Sequence, residues 1–288
     1  MSESRSPLLG VYVDGETKTG KGAAGHAIAD ALRQEGLAVY YDVAGDFFRR
    51  FVALVRLDLG LQEEDELPEG AELEAAAERV YNSREPFAQR DDLGDLQRPA
   101  ISHSVAVLGK LPLVQKAGGE WWAMTMRLAV AAKAEVVVLD GRNPRSRVQD
   151  QVADTGIQPV TALELFMTCE PEVAARRALL AKGVLSPVPN QLAEETRYVI
   201  TRRELDRQRD ENPFQLPEHS VAYDPATSTP QAIIDRSWSS KNSTELPITI
   251  TLDNTHLAMT DMLHAVTQLA VVAVSVANAR QHQQLQSD

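Results

Sequence analysis

The chain has 288 residues, with 41 Asp and Glu against 29 Lys and Arg, a net charge of −12. Hydrophobic residues at 43% and charged residues at 24% exclude wholesale disorder, and the acidic balance makes the chain a poor candidate for non-specific binding to nucleic acid or an anionic membrane, which needs a basic face, while leaving room for a local basic cluster that binds a small phosphorylated ligand. One cysteine, Cys169, excludes an internal disulfide and points to a reducing, cytoplasmic setting.

Residues 1–7 have no apolar core, against a signal peptide. The most apolar stretch, 269–277, falls short of the roughly 20 residues that a bilayer takes. Residues 8–13 form a short apolar run ending at Asp14-Gly15, the pattern of a buried parallel strand opening into a loop. An Ala-rich helix follows over 23–35, with Gly36 as its stop. Residues 37–41 read as a second strand, and 47–61 have apolar residues at helical spacing. From Glu63 to about Glu78 the chain is acidic and reads as a solvated helix or loop without chemistry. Residues 84–98 are polar and loop-rich, and 101–115 are mixed. Residues 121–133 read as a helix, with Trp121 and Trp122 as packing. The clearest buried strand is 135–139, ending at Asp140-Gly141-Arg142. Another covers 162–167, and Pro171 opens the next helix, where its missing N–H is no loss. A charged helix is expected over 196–210, an extended Pro-, Ser- and Thr-rich insertion over about 213–247, a last strand over 248–252 and a last helix over 260–280. Strands alternating with helices predict a three-layer α/β fold with a mostly parallel sheet.

Gly15-Glu16-Thr17-Lys18-Thr19-Gly20-Lys21 fits G-x-x-x-x-G-K between a strand and a helix. Glycines let such a loop wrap a phosphate with its N–H groups. The helix that follows adds its positive end, and the lysine reaches the outer phosphates. Gly22 and Ala23 come next, so the Ser or Thr whose hydroxyl usually contacts Mg²⁺ is missing. Asp14, beside the loop, either assists the metal or holds the loop by hydrogen bonds. Arg142 follows a buried strand at its carboxyl end, where open α/β sheets bind ligands, and a guanidinium there can grip a phosphate with two bonds. Arg202, Asp206 and Arg209, at i, i+4 and i+7, share one helix face. Cys169 is read as packing.

Further segments carry a resemblance. They are Val13-Asp14-Gly15, the run from Tyr41 through Asp42, Gly45 and Phe48 to Arg49, Ile101-Ser102, Pro112-Leu113-Val114, Asp140-Gly141-Arg142, Ala175-Arg176-Arg177, the Arg202/Asp206/Arg209 face and Leu252-Asp253-Asn254-Thr255-His256-Leu257. In this order they resemble the cytidylate kinase family of P-loop nucleoside monophosphate kinases. The resemblance spans roughly residues 8–280. It implies a three-layer α/β/α kinase fold with a five-stranded parallel sheet, an NMP-binding insertion and a small lid. It expects one domain, with the core at about 8–45, 100–175 and 245–285, the NMP-binding insertion at about 46–100 and the lid at about 176–205.

The activity it implies is transfer of the γ-phosphoryl group of ATP to CMP or dCMP, with Mg²⁺, in a cytoplasmic monomer. Gly15 through Ala23 would hold ATP. Lys21, Arg142, Arg202 and Arg209 would be catalytic. Arg49, Ser102, Gln115, Arg142, Asn143, Asp206 and Arg209 would bind the acceptor, and Asp14 is the weak metal candidate. Arg176 and Arg177 would supply one lid arginine. The base-reading positions depart most from the family: Gln115 stands for an arginine, Asn143 for an aspartate, and Arg203 where the family is acidic. Two alternatives remain open, a P-loop kinase for another nucleotide or small-molecule acceptor, and a diverged nucleotide-binding protein of weak activity.

Overall fold

A computed structural model describes residues 7–88, 92–96, 98–208, 217, 219–238 and 249–287. In chain order the elements are β1 (Leu9–Gly15), α1 (Lys21–Gln34), β2 (Val39–Val43), α2 (Ala44–Asp58), α3 (Ala71–Ser83), α4 (Pro99–Leu108), α5 (Pro112–Ala131) and β3 (Val136–Asp140). There follow α6 (Pro144–Asp150), α7 (Val152–Thr155), β4 (Val160–Thr168), α8 (Pro171–Ala181), α9 (Pro189–Arg207), β5 (Ser220–Ala222), α10 (Pro230–Trp238), β6 (Thr249–Asp253) and α11 (Met259–Ser287).

The strands form one sheet in the order β2-β3-β1-β4-β6-β5, with every described pairing parallel. β1 lies inside the sheet, buried along its whole length. From β1 the chain first builds outward to β2 and β3, then returns to the other flank for β4. This reversal opens a crevice beyond the carboxyl end of β1, where such sheets take their ligands.

Alternation along β1 divides the interior. Leu9, Val11 and Val13 point into one core with Ile28 and Leu32 of α1, Ile233 and Ile234 of α10, and Met262, Leu269 and Ala273 of α11. Tyr12 points into the other, with Phe47 and Phe51 of α2, Ile101 of α4, and Trp121, Trp122 and Met126 of α5. Gly10 shares the face of Tyr12, and a Cβ on it would lie 2.5 Å from the Tyr12 hydroxyl. α11 is long and apolar enough to suit a membrane span by composition. Here its apolar stripe closes the first core.

Three expectations are corrected. The sheet has six strands rather than five. The additional strand is β5, an edge strand of three residues whose pattern is too short to show a period of two. It lies in the stretch read as an extended insertion, which also supplies α10. Residues 209–216, 218 and 239–248 of that stretch lie outside the described residues. The acidic stretch is not wholly solvated: α3 buries Leu73, Ala76, Ala77 and Val80. Their i, i+3, i+4, i+7 spacing is a core-facing stripe, obscured in the sequence by the carboxylates on the opposite face. The charged helix begins earlier than expected, at Pro189, in the first helical position of α9.

Candidate active site

The loop after β1 is shaped by close contact. Gly15 has φ 140°, and a Cβ there would lie 2.2 Å from the Met167 carbonyl oxygen of β4, so only glycine fits. The Glu16 N–H donates to that same carbonyl at 3.0 Å. Gly20, with φ 93°, turns the chain into α1, whose first turn carries no acid to compete with an anion for the positive end. Lys21 folds over its own loop, donating to the Gly15 and Glu16 carbonyls at 2.9 and 2.7 Å. Burial pushes its pKa down, and Asp140 opposes the shift. Behind the loop, Asn254 donates to the Thr19 carbonyl at 2.8 Å, and Arg177 donates to the Asn254 side chain at 2.6 Å. Arg177 thus supports the loop from outside, whereas Arg176 pairs on the surface with Glu172 at 3.1 Å. Neither is among the residues lining the cavity beside the loop.

Asp14 accepts the Gly15 and Asn143 backbone N–H groups at 2.6 and 2.9 Å. Of its two suggested roles, this geometry is that of a loop holder. Asn143, in a left-handed conformation with φ 45°, stands at the N-terminus of α6 and is not among the residues lining the cavity beside the loop. Asp206 is buried and receives Arg142, the Thr17 hydroxyl at 3.0 Å and Arg202 at 3.7 Å. In this position it orients the arginines and the loop.

These elements surround a cavity of about 650 Å³, the size of a small-molecule site. Thr17 through Gly22 form one wall. The expected residues Arg49, Ser102, Gln115, Arg142 and Arg202 also line it, with Phe48 and Trp122 as apolar faces. Gly118 leaves room there that a side chain would take, since its Cβ would lie 2.8 Å from Phe48. Arg49 pairs with Asp46 at 2.8 Å. Arg202 reaches the Ser102 carbonyl at 3.5 Å. Gln115 has its amide N–H on the Gly109 carbonyl and its amide oxygen on Arg147 at 2.8 Å. Arg209 lies outside the described residues. In a chain of net charge −12, six cations line this one cavity.

Four residues have roles that sequence reasoning did not give them. Glu16, in the loop, is buried and pairs with Arg203 at 2.6 Å and Arg207 at 3.2 Å. Arg203 also donates to the Cys169 carbonyl at 2.9 Å and the Thr17 carbonyl at 3.3 Å. The signal for this pair was partial: Arg203 stands where the family is acidic. Arg147 holds Gln115, one turn along α6 from Asn143. Asp140 is the fourth.

Mg²⁺ takes one or two carboxylates together with phosphate oxygens and water. Among the described residues no cluster of three or more His, Cys, Asp or Glu forms a metal cage. The Thr19 hydroxyl is fully buried on the Glu16 carbonyl, and Thr17 is committed to Asp206. Asp140 lines the cavity, with its Oδ2 3.6 Å from where a Gly22 Cβ would be. Burial raises its pKa to about 6, against the pull of Lys21 and Arg49. A carboxylate kept desolvated beside the loop fits the ion, and it stands where the missing hydroxyl would have helped.

The sequence profile of the cytidylate kinase family matches residues 11–242. No curated protein matches the chain. Among solved structures it is similar to a proposed kinase from Chloroflexus aurantiacus J-10-fl, with 14% identity over 98% of each chain and a TM-score of 0.34. Since the profile match runs from β1 through α10, the chain belongs to the cytidylate kinase family, a family of nucleotide kinases.

Proposed function

We propose that the protein transfers the γ-phosphoryl group of ATP to CMP or dCMP. An oxygen of the acceptor's 5′-phosphate attacks the γ-phosphorus, its new P–O bond forms as the bond to the β-phosphate oxygen breaks, and ADP leaves. The attacking phosphate is already ionised, so no general base is required. Catalysis is then positioning and charge stabilisation. The loop amides and Lys21 hold the donor phosphates. Arg49 and Arg142 hold the acceptor phosphate, and Arg202 compensates charge in the transition state. Arg209 is assigned to the acceptor on its sequence position alone. Asp140 would hold Mg²⁺, which when bound neutralises charge on the donor phosphates. Phe48 and Trp122 would sandwich or abut a base. The observation that carries this reading is that Arg49, Arg142 and Arg202, from three separate elements, line one cavity with Lys21.

The test is ADP release with ATP and Mg²⁺ across CMP, dCMP, UMP, AMP and GMP. A strong preference for CMP or dCMP is expected, and turnover with none of the five would sink the proposal. One observation favours a second reading, a kinase with another acceptor: Gln115 has both ends of its amide engaged, and Asn143 does not line the cavity. Turnover confined to UMP or a purine would establish it.

Asp140 carries a separate expectation. Its carboxyl is raised in the folded state from 3.8 to about 6. The folded protein therefore binds more protons than the unfolded chain between those values, and stability falls as pH rises through them. Asp140→Asn removes this penalty. Without nucleotide or metal, the variant is expected to melt at least about 2 °C above wild type at pH 7.5, with the advantage shrinking towards pH 5. Thermal melts at both pH values check this; an equal or lower melting temperature at pH 7.5 would contradict the stated burial cost.

A further inference from the structure

Nearly every side chain of the phosphate loop is tied down from within. Glu16 is locked to α9, the Thr17 hydroxyl sits on Asp206, Thr19 bonds the Glu16 carbonyl, and Lys21 lies over the loop's own carbonyls. Lys18 is the exception, in three respects. Its backbone is left-handed, φ 64°, a conformation that costs a non-glycine residue on the order of 1 kcal/mol and is retained where function uses it. Its ammonium forms no hydrogen bond or ion pair with a described residue. Finally, it lines both the loop cavity and a second cavity of about 710 Å³ running between α4 and α9. The side chain is solvent-exposed, and the solvent it meets is that of the cleft.

The charges around it do not satisfy it. The crowding of the cleft walls pushes the Lys18 pKa down most, and Lys182 from the turn after α8, Arg49 from the helix α2 and Arg202 from α9 push it the same way. Glu195, which pulls the other way, is already paired with Lys182 at 2.8 Å. Converging like charges are stabilised by a further anion that arrives among them.

We propose that Lys18 is a second phosphate-contacting lysine of the loop. Its ammonium stands at the junction of the two cavities and joins Arg49 and Arg202 around the phosphoryl group in transfer. It donates hydrogen bonds to that group's oxygens and gives up no proton. The proposal rests on the kinase reading above and assigns a catalytic side chain where that reading used only backbone N–H groups.

Because glycine adopts a left-handed φ without strain, Lys18→Gly separates chemistry from folding. The expected result is a melting temperature equal to or above wild type, a kcat about 10²-fold lower and a KM for ATP up to about tenfold higher. Lys18→Arg should recover most of the rate. A Lys18→Gly enzyme with wild-type kcat, or one that loses rate and stability together, overturns the proposal and leaves the kinase reading standing. If wild type itself turns over no nucleotide, the kinase reading fails, and calorimetry with tripolyphosphate decides for Lys18. Binding about tenfold weaker in Lys18→Gly supports the contact, and equal binding overturns it.

Discussion

Lys21→Met is expected to lower kcat by about 10²–10³-fold, the loss typical when one preorganised charge donor is removed from a transition state. The Lys21 ammonium is held by the Gly15 and Glu16 carbonyls, at the end of the loop from which the outer phosphates would be reached. Those contacts keep the cation in place before the donor arrives, so little reorganisation is needed at the moment of transfer. The same burial that pushes its pKa down makes the charge unfavourable to the fold. Methionine keeps much of the side-chain volume and removes that charge. The melting temperature should therefore move by only a few degrees while the rate collapses. Steady-state kinetics beside a thermal melt check this; a variant that retains wild-type kcat would remove Lys21 from the chemistry.

The second large effect concerns stability. Arg203→Leu is expected to cost about 3–5 kcal/mol, the range for removing one partner of a buried ion pair. Arg203 is 5% exposed and Glu16 is 8% exposed. Without the guanidinium, Glu16 keeps only Arg207, which is exposed, and the Cys169 and Thr17 carbonyls lose their donor. Adding Glu16→Gln removes the stranded charge, so the double variant should be more stable than Arg203→Leu alone. Denaturant unfolding of the two single variants and the double variant measures this. Strict additivity would show that the pair is not coupled. Since Glu16 belongs to the phosphate loop, ATP affinity should fall in the same variant.

Where local pattern and tertiary role agreed, the sequence was readable. Val136, Val137 and Val138 are a continuous apolar run because β3 is covered on both faces, and Gly15 and Gly20 mark the loop because no side chain fits one of them and the other turns left-handed. Length and masking hid the rest. β5 is too short to carry a period, and α3 wears its carboxylates over a buried stripe. Asp206 and Asn143 lay on the expected elements, but the sequence gives no orientation for a side chain. Asp206 turns to arginines and a loop hydroxyl, and Asn143 offers Asp14 a backbone N–H. Gln115 and Arg147 are 32 positions apart, and only the fold brings their side chains together.

The sheet parts the interior into two compartments, one clasping α1, α10 and α11, the other clasping α2, α4 and α5. The phosphate loop with α1 and the helix that carries Arg49 therefore rest on different sets of packed side chains, joined by the sheet and by the Thr17–Asp206–Arg142 contacts. Loosening one compartment need not loosen the other, and amide hydrogen exchange should divide the molecule into two cooperative units along that plane. Ligands would protect them separately: a donor nucleotide would slow exchange chiefly in α1, an acceptor chiefly in α2 and α5.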